Sequence, residues 1–179
     1  MSKILTTQLS GLLQRIIQSE EEAIEETARL LAQGAIGQGH VYFACFGEMQ
    51  AVETNAIFGA ERFAKLKLWT SETVLGDADR VCIFTRSSED AEALALAAQL
   101  NDTFIPFAAV SCEVANADNR LANLAYTYIS TRVRGGLIPN DLGERIVIPH
   151  TMAALFIYEA IKIAYDEMLN PDAEEFSPE

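Results

Sequence analysis

The segment Thr85-Arg86-Ser87-Ser88-Glu89-Asp90 sets three hydroxyls and one guanidinium directly after the apolar run Val81–Phe84 and directly before an alanine- and leucine-rich stretch. A strand that ends in such a turn and opens a helix presents unpaired backbone N–H groups at the positive helix end. Small hydroxyl side chains add further donors, so the segment can cradle an anion. Arg86 adds a charge-assisted contact. The same residues also read as an ordinary helix start, with Ser87 or Ser88 as the cap and Glu89 and Asp90 placed to suit the dipole. Those carboxylates compete with a phosphate for the same positive end. A second loop, Cys45-Phe46-Gly47-Glu48-Met49, closes an earlier apolar run. It faces the first loop if the two strands are neighbours, and ligands of open parallel sheets bind where two such loops diverge.

Other chemistry is sparse. His40 and His150 are the only histidines, Cys45, Cys82 and Cys112 lie in or at the ends of apolar runs, and there is no Cys-x-x-Cys. The thiols therefore read as reduced structural groups, and neither a metal nor a cofactor is expected. The first apolar run lacks a following Gly-x-Gly-x-x-Gly, which argues against a nucleotide-dependent dehydrogenase. Twenty-six acidic against thirteen basic residues give a formal charge of −13, which repels nucleic acid and anionic lipid. Arg132 and Arg134 stand out in so acidic a chain, as contacts for a ligand or for a neighbouring subunit's carboxylates. No apolar stretch has the length of a membrane span and no signal peptide is evident, so a cytoplasmic protein is expected.

These loops need elements to hold them. Apolar residues recur at helical spacing from Ile4 to about Ile36, which predicts one long amphipathic helix or two stacked ones. Gly37-Gln38-Gly39 stops it, and His40–Phe46 follows as a strand buried on both faces. Gly47 opens a helical stretch to about Ala64, and Lys67–Trp69 reads as a short second strand. Arg80–Thr85 is the third strand, followed by a helix to about Leu100. Phe104–Val110 is the fourth and Tyr126–Ile129 the fifth. Arg132–Pro149 is an unusually long loop, a candidate for function. A final helix covers about Thr151–Met168, and the acidic, proline-bearing tail over 170–179 is expected to be disordered. The whole predicts one α/β domain over 1–169, with 1–36 as its helical lead. Its architecture is three-layer α/β/α, a flavodoxin-like sheet of five mostly parallel strands.

A strand ending in Ser-x-Ser-Gly-x-Thr and opening a helix marks the sugar isomerase (SIS) domain, and Thr85–Asp90 resembles that motif. The order and lengths of the elements over roughly residues 35 to 130 are also similar to that domain. Ser88 stands where the family has glycine, and Asp90 where it has the last threonine. Within the family the chain looks closest to the phosphoheptose isomerase branch, which also begins with a long helix used in subunit assembly. That branch carries Phe-Ala-Ala-Glu on the helix after its first strand, with the glutamate as an acid/base. Phe58-Gly59-Ala60-Glu61 is the corresponding string here.

The resemblance implies a homo-oligomer that binds a phosphorylated sugar, with Gly47, Glu48, Thr85, Arg86, Ser87, Ser88 and Asp90 as candidate contacts. A sensor or accessory protein without strong catalysis is the first reading. An aldose–ketose phosphosugar isomerase is the second, with Glu61 as base and His150 as its helper. A partner-binding protein that kept only the fold is the third.

Overall fold

The computed structural model describes residues 1–171, so the expected disordered tail over 170–179 falls almost wholly outside the described residues. Helix α1 spans Ser2–Ile36 as one continuous element. The strands are β1 (Val41–Cys45), β2 (Leu66–Leu68), β3 (Arg80–Phe84), β4 (Phe107–Ser111) and β5 (Thr127–Ser130). Helices α2 (Gln50–Phe58), α3 (Ala91–Asp102) and α4 (Arg120–Leu124) alternate with them, and α5 (His150–Leu169) closes the fold. The five strands form one sheet in the order β2-β1-β3-β4-β5, and every pair in it is parallel.

Strand periodicity divides the core in two. Val41, Phe43, Cys82, Phe84, Ala108, Val110 and Ile129 point to the face covered by α1, α2 and α5. Tyr42, Ala44, Val81, Ile83, Phe107 and Ala109 point to the face covered by α3 and α4. Strands buried on both faces are apolar at every position, which is why their runs are continuous and not alternating. Leu12, Ile16, Ile24, Ala28, Leu31 and Ala35 form the inward stripe of α1.

Several boundaries differ from those the sequence predicts. The helix after β1 ends at Phe58, because Gly59 leaves helical geometry and Phe63 turns in to donate its N–H to Ala56 O at 2.8 Å. Phe63 stacks on Tyr165 with ring centroids 4.2 Å apart, and this burial outweighs one more helical turn. Glu61 is therefore on an exposed bend, not on a helix. The cap of α3 is Asp90, whose carboxylate accepts the Ala93 N–H at 2.9 Å, and neither Ser87 nor Ser88 fills that role. Phe104 lies outside β4 with φ +58°. The stretch 132–149 is not structureless: β6 (Ile138–Pro139) and β7 (Arg145–Ile146) pair antiparallel within it. Among the described residues, no helix is long and apolar enough to cross a membrane.

Candidate functional site

Chain order reverses between β1 and β3, whose last residues, Cys45 and Phe84, are register partners. The crevice beyond these carboxyl ends is where a doubly wound sheet holds its ligand. Gly47 turns the chain there with φ +58°, a conformation that favours glycine, and leads into a single 3-10 turn ahead of α2. Glu48 on that turn accepts a hydrogen bond from Arg86 Nε at 2.7 Å. Both side chains are more than a third exposed, so the pair adds little stability, but it commits the guanidinium to a resident carboxylate.

The Ser87–Ser88 turn does cradle an anion, and that anion is Glu113. Ser87 Oγ donates to Glu113 Oε1 and the Ser88 N–H to Oε2, both at 2.7 Å. Ser111 Oγ donates to Oε2 at 3.2 Å. The Tyr128 hydroxyl holds the Glu113 carbonyl at 2.7 Å and accepts from Asn119 Nδ2 at 3.0 Å, which fixes the loop after β4. Burial alone would raise the Glu113 pKa. Hydrogen bonds from the Ser88 amide, the Ser87 hydroxyl, its own backbone N–H and Cys112 outweigh it and hold the carboxyl at about 2.

His150, the first residue of α5, completes the group. Its Nδ1 is buried without a hydrogen-bond partner. Burial lowers its pKa, Glu48 and Glu113 pull it up, and Arg86 pulls it down, with a net shift below 6.5. The imidazole is therefore neutral at pH 7. Burial pushes the neighbouring Cys112 thiol up to about 11, so it is protonated and a poor nucleophile. Among the described residues, no group of three or more His, Cys, Asp or Glu side chains is placed to hold a metal ion.

The structure thus brings Gly47, Glu48, Arg86, Ser87, Ser88 and His150 to one crevice, with Thr85 buried at its floor. Asp90 is spent on the α3 cap. Glu61 lies elsewhere: it precedes Leu66, which pairs with Val41 at the amino end of β1, opposite the crevice. Glu113 is the residue that motif reading misses. Its one sequence signal is position, a carboxylate two residues beyond the end of a buried parallel strand.

Comparison with known proteins gives the same fold. The Bacillus subtilis (strain 168) protein YwjG is 32% identical over 170 residues, covering 94% of this chain and 98% of its own length. A proposed phosphosugar isomerase of Bacteroides fragilis, involved in capsule formation, superposes with a TM-score of 0.73 at 16% identity over 97% of this chain and 92% of that one. The Vibrio vulnificus NanR protein, complexed with ManNAc-6P, superposes with a TM-score of 0.64 at 10% identity, covering 97% of this chain and 67% of that one. At such identities the likeness to the two structures is one of fold, that of the SIS domain. The family model described as "Domain of unknown function (DUF2529)" matches residues 1–169, and the chain belongs to that family.

Proposed function

We propose that the protein binds a phosphorylated sugar in the crevice at the carboxyl ends of β1, β3 and β4, as an intracellular sensor or accessory protein that self-associates through α1. The observation that carries this reading is the seat of Glu113. Donors that hold a carboxylate with its pKa near 2 suit a phosphoryl oxygen pair equally well. The ligand's phosphate then exchanges with the Glu113 carboxylate, its sugar hydroxyls lie toward Glu48 and His150, and Arg86 leaves Glu48 for the ligand. The fold's solved relatives support the ligand class, since one of them, NanR, is complexed with ManNAc-6P.

Binding without turnover is favoured over a phosphoheptose-type isomerase. An isomerase needs a base within hydrogen-bond reach of the carbon that loses its proton. Glu61, the candidate from family likeness, is at the other end of the sheet, which leaves His150 as the crevice's neutral base.

The test is thermal unfolding of the full-length protein against a panel of sugar phosphates and inorganic phosphate. A ligand that binds only the folded state raises the midpoint with concentration. The wild type should shift with at least one sugar phosphate, Ser87→Ala should lose the shift, and Glu113→Ala should enlarge it. A panel that moves none of the three proteins refutes the reading and leaves a fold kept for contact with a partner.

A further inference from the structure

A second cavity, of about 410 Å³, opens between the amino-terminal half of α1 and the segment that leaves β5. Four of the chain's nine arginines line it, Arg15, Arg132, Arg134 and Arg145, and no carboxylate is among its lining residues. In a chain of net charge −13 that is a marked local reversal of sign.

The four charges are not equally available. Arg132 is answered by Glu20, which accepts from Nε at 2.7 Å and Nη2 at 2.6 Å. Arg145 donates to the carbonyls of Gly136 and Leu137, each at 2.9 Å, so its guanidinium is fixed in place but its charge is not neutralised. Arg15 and Arg134 are exposed and form no ion pair among the described residues. Three uncompensated positive charges therefore share one concave surface.

The backbone is shaped to hold them there. A Cβ on Gly136 would lie 2.4 Å from the Arg145 carbonyl carbon, so only glycine lets this segment and β7 approach closely enough to close the wall. Arg132 and Val147 both adopt left-handed φ, +57° and +60°, which is unfavourable for any side chain and most of all for a β-branched one. Strain of this kind persists where the surroundings impose it, and it gathers at binding sites.

We propose that this pocket is a second ligand site, which takes a small organic anion carrying at least two negative charges, phosphoryl or paired carboxylate, between Arg15, Arg134 and Arg145. Guanidinium groups match both anion types with paired N–H donors. The cavity's size is that of a site for a small metabolite, and its concavity focuses the arginine field on the occupant. Leu12 and Leu137 in the wall cover the ligand's uncharged body. The pocket's lining shares no residue with the Ser87–Glu113 crevice, and the proposal holds whether or not a phosphosugar binds there.

Isothermal titration of the full-length protein with pyrophosphate and with citrate tests this, one probe for each anion type. At least one should bind saturably, weaken steeply with added sodium chloride, and lose tenfold or more in affinity in both Arg15→Ala and Arg134→Ala. Arg134→Lys should recover part of the loss, and Ser87→Ala should stay within twofold of wild type. The proposal is overturned if neither probe saturates. It is also overturned if Ser87→Ala removes binding as fully as the arginine variants, since the anion then sits in the crevice. Unchanged anion affinity in Arg134→Ala likewise overturns it, and a changed mass by light scattering would then show that the arginines meet a second copy of the chain.

Discussion

The two carboxylate oxygens of Glu113 receive the Ser87 hydroxyl and the Ser88 amide at 2.7 Å each, the hydrogen bonds an anionic ligand would need. Its pKa, about 2 against an ordinary 4.5, means that the folded state binds the proton more weakly than the unfolded chain does. The stability this group contributes is thus fully present above pH about 4.5 and is lost as pH falls from there toward about 2. Acid titration of unfolding should show that loss in the wild type and a flatter profile in Glu113→Gln. An unchanged profile would mean that the carboxylate does not hold the turn. The neutral His150 has a lowered pKa, so its contribution is present above pH 6.5 and is lost below it, as the unfolded chain takes the proton first. On the proposed function, a dianion in the crevice would add negative charge beside the imidazole and raise that pKa. Calorimetric titration with the sugar phosphate near pH 7, where the ligand is already mostly the dianion, in buffers of different ionisation enthalpy should therefore show more proton uptake for wild type than for His150→Asn.

Helix α1 is tied to the sheet by more than its apolar stripe. Glu20, buried on α1, holds Arg132 and accepts the Ser130 N–H at 3.3 Å, so one carboxylate joins the helix to the end of β5. Removing one partner of such a pair leaves a charge poorly compensated, and Glu20→Ala should cost about 2–4 kcal/mol in urea unfolding. A cost within a few tenths would show that the helix docks by apolar contact alone. Likewise, Phe63→Ala should cost about 3–4 kcal/mol, since it empties the space between Tyr158 and Tyr165. The ends of elements are where sequence reading stopped short. Strands β1, β3 and β4 were legible because burial on both faces leaves a nearly unbroken apolar run, and α1 because its spacing persists to Ile36. The end of α2 was not legible, because Phe63 is buried by tyrosines about a hundred positions away. Asp90 rather than Ser87 caps α3 because the helix begins only at Ala91, while the Ser87 hydroxyl accepts the Glu89 N–H and donates to Glu113. That contact spans 26 residues and leaves no local pattern.

Across the whole molecule, topology explains why a crevice exists at all. The sheet order puts β1 beside β3, and every helix that follows a strand starts at the same edge, so the loops after β1, β3 and β4 converge there. The continuous apolar strands foretold that much. They did not foretell that the chain supplies its own anion to the site, nor that arginines gather in a second pocket between α1 and the β6–β7 hairpin. On the α1 face, Leu13, Ile17 and Phe156 are only partly buried and border one shallow groove. Self-association through this face predicts a dimer mass in sedimentation equilibrium that Ile17→Glu lowers to the monomer, and a monomeric wild type would refute it. Above all, the Ser87–Ser88 turn holds Glu113 and is proposed as a phosphate seat, and the decisive comparison is affinity for sugar phosphates in wild type, Ser87→Ala and Glu113→Ala. Wild type should bind, Glu113→Ala should bind tenfold or more tightly than wild type, and Ser87→Ala should lose binding. Equal affinity in all three proteins, or none in any, would reduce the turn to a brace for the loop after β4.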